Sequence, residues 1–352
     1  MRIFHVITLS SVGGAQSVVV NLANAQVENN EVWVISSDSK EAWKALKPEV
    51  KVIGIPQLKR AISALDIIVL IKLIYYRIKY RPDVVHLHSS KIGALGRVAF
   101  KPCKTIYTVH GFDSIRVANR SFLPVEKLLK GRCAKIVGVS KYDETNLYTE
   151  GITKHVTFVY NGITDYFEQE EEIISQPVKE KFEAIKLQYT KVVMCIARDD
   201  SPKRIDLFID VARQLSQYAF VWIGNAKEHK VGKNVFLLGQ IPMASLLLRY
   251  ADVLVLLSDF EGLPMSIIEA LSFGKPVIAS KVGGIPELLD GSNGYAVANR
   301  VEAIVPKIQM VLGDSERYSE LSSQARRTYI EKFTVDKMLQ GYERVYEEIV
   351  KH

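Results

Sequence analysis

The stretch from Ala251 to Glu287, ADVLVLLSDFEGLPMSIIEALSFGKPVIASKVGGIPE, constrains the fold of this chain more than any other. Val253 to Leu257 is an unbroken apolar run, and a strand without polar alternation has to be covered on both faces, as at the centre of a parallel sheet. Ser258-Asp259 ends the run, Pro264 fits the first turn of a helix, and Met265 to Phe273 keeps helical spacing until Gly274 caps it ahead of Pro276. Glu261 therefore falls in a strand-to-helix loop, and Glu269, eight residues on, lies inside the helix. Carboxylates on two different elements can reach opposite ends of one ligand. Between them, the first amides of the helix form an anion site suited to a diphosphate. Vicinal hydroxyls donate well to a carboxylate, so one Glu suits a sugar and the other a ribose. Taken alone, the pattern also fits an α/β protein in which Glu269 merely solvates an exposed helix face.

Strand and helix patterns alternate along the chain. Strands are expected at Ile3 to Thr8, Glu31 to Ser36, Val50 to Ile55, Val84 to Leu87, Thr105 to Val109, Lys135 to Ser140 and Val156 to Tyr160. A second set covers Lys191 to Ala197, Phe220 to Ile223, Val235 to Leu238 and Val253 to Leu257, with Val277 to Ser280 as the last strand. Between them, helices are expected at Ala15 to Gln26, near Glu41 to Leu46, Ala61 to Tyr80, Val178 to Leu187 and Ile205 to Leu215. Tyr318 to Glu331 and Val335 to Val350 read as amphipathic helices. Such alternation indicates doubly wound parallel sheets, and 352 residues suffice for two domains, each with its own core. The acidic segment Glu168 to Ser175 is the candidate linker. The expected boundaries are 1–165 and 166–334, with the last helix, 335–352, standing apart.

In open α/β sheets ligands bind at the carboxyl ends of the strands. Gly13-Gly14 follows the first strand, where glycines let backbone approach a ligand or simply make a tight turn; G-x-G-x-x-G is absent. His110-Gly111 follows the strand Thr105 to Val109, where an imidazole can bond a sugar hydroxyl or be a satisfied structural group. His86 and His88 share one strand face. A metal would need a third ligand nearby, and the sequence offers none, so packing or acceptor contact is the better reading. Ser140 ends a strand, and Asn161-Gly162-Ile163 makes a turn at the domain junction. In the second half Arg198 and Lys203 stand at a strand end and a helix start, so both cations can converge on the anion site, or be solvated loop residues.

The E-x7-E spacing, with Gly-Leu-Pro after the first Glu and Gly-Lys-Pro-Val-Ile after the helix, resembles the retaining glycosyltransferases of family four. The resemblance covers nearly the whole chain. Gly13-Gly14-Ala15-Gln16 matches the family's glycine-rich loop, and Val109-His110-Gly111 its V-H-G. Asn161-Gly162-Ile163 matches N-G-I/V, and Gly294-Tyr295 matches N-G-[FY]. Arg198 and Lys203 look like the cations of G-R-L-x-x-x-K-G, although Arg204 stands where that pattern has glycine. Gly224 is retained, while Ala226 replaces a frequent second glycine.

The resemblance implies the GT-B fold, two Rossmann-like domains facing a central cleft, with the final helix crossing back to the first domain. It implies metal-independent retaining transfer from a UDP- or GDP-linked sugar, with the leaving phosphate oxygen taking the acceptor's proton. His110, Arg198, Lys203 and Glu261 are then the catalytic group. Gly13, Gly14, Gly224, Gly239, Ile241, Glu261, Gly262, Leu263, Pro264 and Glu269 would bind the donor. His88, Ser140 and Asn161 are candidates for the acceptor side. No cofactor or metal is expected, since D-x-D is absent and cations with helix amides can stabilise the departing nucleoside diphosphate.

The formal net charge is +7, unevenly shared. Residues 1–165 hold 23 Lys and Arg against 13 Asp and Glu; between Lys59 and Lys141 the ratio is 17 to 4. Such an excess points to an anionic partner. The basic residues Lys59, Arg60, Lys72, Arg77, Lys79 and Arg81 surround the greasy Ala61 to Tyr80 segment, and Phe122-Leu123 with Lys127, Lys130 and Arg132 form a second patch. The segment is too short and charged to span a bilayer, but it can hold the domain at an anionic membrane surface, although its apolar residues could equally pack on the sheet. A lipid-linked acceptor from cell-surface polysaccharide synthesis would fit that location. Cys103, Cys133 and Cys195 form no C-x-x-C pair, and the strand expected directly after Met1-Arg2 leaves no room for a secretory leader, so a cytoplasmic, membrane-peripheral enzyme is expected. Two alternatives remain: a nucleotide-sugar epimerase of the same architecture, and a non-catalytic or nucleic-acid-binding protein. Against the latter, the basic half lacks the clustered aromatics of RNA modules.

Overall fold

The computed structural model describes residues 1–11, 13–38, 42–167 and 174–350. The chain divides into two compact units, Met1–Thr164 with Val335–His352, and Asp165–Thr334. Most of the acidic segment expected as a linker, and the start of the helix expected near Glu41, lie outside the described residues.

The first unit is built on seven parallel strands. In chain order they are β1 (Arg2–Ile7), β2 (Glu31–Ser36), β3 (Lys51–Gly54), β4 (Val84–His88), β5 (Thr105–Val109), β6 (Lys135–Gly138) and β7 (Val156–Phe158). They pair in the order β3-β2-β1-β4-β5-β6-β7, so the winding reverses between β1 and β4. β1, β4 and β5 are buried almost throughout, as strands covered by helices on both faces must be. One sheet face carries an unusual polar set. Parallel register puts His5 beside His86 and Ile7 beside His88, and β5 sets Thr108 beside His88.

The final helix, Val335–Val350, belongs to this unit. It covers the polar face with two buried tyrosines: the Tyr346 hydroxyl lies 2.8 Å from His86 Nδ1, and the Tyr342 hydroxyl 3.1 Å from Thr108 Oγ1. Gly341 lets it close on Val159, whose Cγ1 would stand 2.7 Å from a Cβ there.

The second unit has six parallel strands: β8 (Val192–Ile196), β9 (Ala219–Ile223), β10 (Val235–Leu237), β11 (Val253–Leu256), β12 (Val277–Ser280) and β13 (Gly294–Val297). Their order is β10-β9-β8-β11-β12-β13, and the winding reverses between β8 and β11. The strand expected to be last, Val277–Ser280, is followed by another. β13 is short and opens on Gly294, whose φ of +155° and closeness to the Val277 carbonyl, 2.2 Å from where a Cβ would sit, leave room only for glycine. The β11 unit follows its sequence closely: a fully buried strand, then the helix Met265–Ser272 with Pro264 as its N-cap residue and Gly274 at φ +60° after it.

The helix Leu65–Tyr80 lays one face on the core, where Leu70, Ile74, Tyr76 and Tyr80 pack against the buried cluster, and leaves the other exposed. It begins after Ala61, with Asp66 in its first turn, and buries only Val69 and Leu73. Ile67, Ile71, Tyr75 and Ile78 recur at three- and four-residue spacing and are 52–64% exposed, with Ile62 just before the helix at 70%. No helix among the described residues is long and apolar enough to cross a membrane.

Candidate active site

In the second unit the expected donor residues gather at the carboxyl ends of the strands, centred on the β8–β11 reversal. Two loops cross there in hydrogen-bonding register. Arg204 N donates to the Leu257 carbonyl (2.9 Å), Asp259 N donates to Pro202 O (2.9 Å), and Lys203 pairs with Ser258 as an isolated antiparallel bridge. This backbone weave carries Lys203 from the β8 loop to Glu261 in the β11 loop, where its ammonium donates to Glu261 Oε1. The pair is largely sheltered, with side chains 18% and 11% exposed. Arg198, at the end of β8, is exposed.

Arg204, which replaces a glycine of the family pattern, needs no special backbone: its φ is −105°. Its guanidinium bonds Asp206 and reaches Asp259 at 3.1 Å, so it staples the two loops together.

The Glu261 loop has a second support that the sequence did not signal. Gly283, after β12, sits at φ +56° with the Glu261 carbonyl oxygen 1.9 Å from where its Cβ would be, and Gly284 N donates to the Gly262 carbonyl (2.9 Å). Any side chain at 283 would push Glu261 off its position.

On the far side of β8, Gly224 at φ +108° presses on the Ala197 carbonyl, and its N–H donates to the Gly239 carbonyl (2.7 Å). Gly239 N donates in turn to Asn225 Oδ1 (2.9 Å), which sets the backbone ahead of Ile241. Asp199 was also missed. Its burial opposes ionisation, but bonds from the Ala226 and Lys227 amides and His229 hold its carboxyl down at about 2, pinning the β9 loop to the β8 loop. Leu263 and Pro264 are buried and shape the start of the Met265–Ser272 helix. Glu269, half-buried inside that helix, has its carboxyl pushed up to about 7 by desolvation.

In the first unit, Gly13 precedes the helix Gly14–Gln26 in extended backbone, and Gln16 returns its amide to the Leu9 carbonyl (3.0 Å). His110 stands at the end of β5, half-buried, with Nε2 3.1 Å from His88 Nδ1. Desolvation lowers it to about 4, so at neutral pH it is an uncharged hydrogen-bonding group.

The three residues suggested for the acceptor side are placed otherwise. His88 is fully buried with both ring nitrogens in protein hydrogen bonds, 3.0 Å to His5 and 3.1 Å to His110. Ser140 is fully buried and caps the helix Lys141–Thr149, accepting from Asp143 N and donating to the Asp143 carboxylate. Asn161 is 4% exposed. None presents a group to an acceptor, because each lies within the unit's own packing.

The third imidazole that sequence spacing could not supply is His5, brought in by the β1–β4 pairing. Ligand atoms of His5, His86 and His88 lie within 4.8 Å of one another, near the spacing of a three-imidazole metal site. All six ring nitrogens are already engaged: His5 by His88 and Gln26, His86 by Tyr346 and Thr108, and His88 by His5 and His110. A complete hydrogen-bond set leaves no lone pair waiting for a cation.

Two Rossmann-like parallel sheets, the second with a cation–carboxylate pair at its switch point, are the architecture of the GT-B class. Residues 12–165 match the model of Glycosyltransferase Family 4, and residues 178–328 that of Glycosyl transferases group 1. The two matches together span most of the chain, which belongs to glycosyltransferase family four and uses a nucleotide-sugar donor. It is 28% identical over 97% of both chains to the O-antigen biosynthesis glycosyltransferase WbnH of Escherichia coli. It is 26% identical to that organism's UDP-Gal:alpha-D-GlcNAc-diphosphoundecaprenol alpha-1,3-galactosyltransferase, over 99% of this chain and 97% of that one. Among solved structures, Anabaena HepE in complex with UDP-glucose superposes with a TM-score of 0.85 at 18% identity, covering 99% of this chain and all of that one.

Proposed function

We propose that the enzyme transfers a sugar from a UDP-linked donor to a hydroxyl of a lipid-linked glycan during assembly of a cell-surface polysaccharide, at the cytoplasmic face of the membrane. The observation that carries this reading is the exposed apolar face of the Leu65–Tyr80 helix. Ile67, Ile71, Tyr75 and Ile78 face solvent, Lys79 lies over the Tyr75 ring, and Lys59 and Arg60 are exposed ahead of the helix in sequence, a combination suited to an anionic leaflet and costly to leave in water. Phe122, Val125 and Leu128 with Lys127 and Lys130 add a second patch, while Leu123 turns inward to the core. The relatives support the choice of substrates, since one is named for a UDP-galactose donor and a diphosphoundecaprenol-linked acceptor.

In this reading Glu269 holds the ribose hydroxyls, and Glu261 the transferred sugar. Gly224, Gly239 and Ile241 set the backbone that meets the base; Gly13 and Gly14 approach the diphosphate, as does the loop Gly262-Leu263-Pro264 with the helix that follows. Arg198 and Lys203 meet the charge that develops on the leaving diphosphate, the largest contribution expected in such a transfer, and no metal is required. Glycosidic bond cleavage and formation occur on one face of the sugar, and the acceptor's proton passes to the leaving phosphate oxygen. His110, neutral at physiological pH, orients a hydroxyl and does not attack.

The test uses a panel of nucleotide sugars, with release of the nucleoside diphosphate followed with and without a polyprenyl-diphosphate-linked sugar. Acceptor-dependent release from a UDP-sugar supports the reading. Conversion of the donor to an epimer without release would instead identify an epimerase.

A further inference from the structure

The polar face of the first unit holds a chain of side chains that ends at His110. Gln26 Oε1 lies 2.7 Å from His5 Nε2, His5 Nδ1 lies 3.0 Å from His88 Nε2, and His88 Nδ1 lies 3.1 Å from His110 Nε2. Gln26, His5 and His88 are 3% exposed or less. Buried polar groups of this kind are almost always paired, and each of these bonds needs one donor and one acceptor.

A neutral imidazole has one N–H and one bare nitrogen, so choosing the donor at one end of the chain fixes every ring along it. Burial keeps these rings uncharged, with His5 lowered to about 4 and His88 well below its ordinary value. The Gln26 carbonyl oxygen can only accept. His5 therefore carries its proton on Nε2 and accepts at Nδ1, His88 repeats the pattern, and His110 donates from Nε2. Its other nitrogen, Nδ1, has no hydrogen-bond partner among the described residues.

The orientation of the Gln26 amide sets this direction, with its carbonyl oxygen 2.7 Å from His5 Nε2. Beside the chain, His86 Nδ1 lies 2.8 Å from the Tyr346 hydroxyl and its Nε2 2.6 Å from Thr108 Oγ1.

We propose that Gln26, His5 and His88 act as positioning residues in a one-way hydrogen-bond chain that holds His110 as its Nε2–H tautomer, so that His110 meets substrate with a bare Nδ1. That nitrogen accepts a hydrogen bond from a sugar hydroxyl and has no proton to donate. A substrate deoxygenated or methylated at the hydroxyl that faces His110 loses this bond, so the tautomer contributes to sugar specificity. The specificity role rests on the glycosyltransferase reading, whereas the tautomer does not.

The test is long-range ¹H–¹⁵N correlation spectroscopy of the histidine side chains in the full-length protein at neutral pH, with His110 assigned through His110→Gln. The expected result is the Nε2–H tautomer at His5, His88 and His110. An Nδ1–H signature at His110, or a stoichiometric metal ion on the purified protein bound at His5, His86 and His88, overturns the proposal. Gln26→Met, which removes the acceptor at similar volume, is expected to give mixed tautomers at His110 and about a tenfold fall in kcat with donor KM unchanged. An unchanged tautomer in Gln26→Met overturns the chain as the cause. Absence of glycosyl transfer with the tautomers as predicted would overturn the functional reading and leave the chain intact.

Discussion

Lys203 and Glu261 form an ion pair between the loops that follow β8 and β11, at the point where the second sheet reverses its winding. The cation expected to meet the diphosphate is thus in contact with the carboxylate expected to meet the sugar, so each fixes the other's position.

Lys203→Ala is expected to lower kcat by about 10²- to 10³-fold, the range typical for losing one group that stabilises developing charge, with a thermal midpoint close to wild type. Lys203→Arg, which retains charge but not shape, should fall between. Steady-state kinetics alongside a melting curve check this, and an unchanged kcat in Lys203→Ala would remove the residue from the mechanism. Arg198→Ala should be comparably impaired.

Glu269 gives a pH dependence with a definite sign. Burial raises its carboxyl to about 7, so it is ionised above that pH and protonated below. The ionised form offers acceptors to both ribose hydroxyls, so donor affinity should rise as pH increases from 6 to 8 and then level off, with binding near pH 7 releasing protons. The effect on stability runs the other way. The folded value exceeds that of the unfolded chain, so stability from this group is fully present below the unfolded value near 4.5 and is lost as pH rises through about 7. Calorimetric titration in buffers of different ionisation enthalpy measures the released protons. Glu269→Gln should abolish the release and weaken the donor; persistence of the release in that variant would assign it elsewhere.

Gly283→Ala is predicted to damage activity from outside the substrate contacts. The added Cβ meets the Glu261 carbonyl, and the positive φ adds strain of about 1–2 kcal/mol. A folded protein with at least a tenfold loss in kcat/KM is the expected outcome, whereas wild-type kinetics would mean that the Glu261 loop tolerates displacement.

The sequence made the β11 segment legible because its strand is an unbroken apolar run and the helix after it is bounded by Pro264 and Gly274, signals that depend only on neighbouring residues. His5, Gln26 and Gly283 were not legible for the opposite reason. His5 meets His86 through pairing of strands some eighty residues apart, and Gly283 matters because its loop lies against the one after β11. His88 and Ser140 have side chains suited to a substrate, but only burial reveals that their bonds are spent inside the protein. The Leu65–Tyr80 helix was ambiguous because an apolar helix can serve a core or a membrane, and exposure alone separates the two.

That exposure predicts membrane association driven by both charge and apolar contact. The protein should co-sediment with vesicles containing anionic lipid at low salt, detach as salt screens the charges, and ignore neutral vesicles. Replacing Ile67, Ile71 and Ile78 together by Ser should reduce vesicle binding while leaving transfer to a short, water-soluble acceptor analogue intact. Equal binding to neutral vesicles, or none to anionic ones at low ionic strength, would favour a soluble acceptor.

The most direct test of the central claim is the structure of the product. The enzyme would be incubated with an α-linked UDP-sugar and a polyprenyl-diphosphate-linked sugar in the presence of EDTA, and the anomeric configuration of the new linkage read by NMR. The account predicts an α-linked product formed at an undiminished rate. A β-linkage would contradict retention, and activity lost in EDTA but restored by Mg²⁺ would contradict the assignment of Arg198, Lys203 and the helix amides as the groups that stabilise the leaving diphosphate.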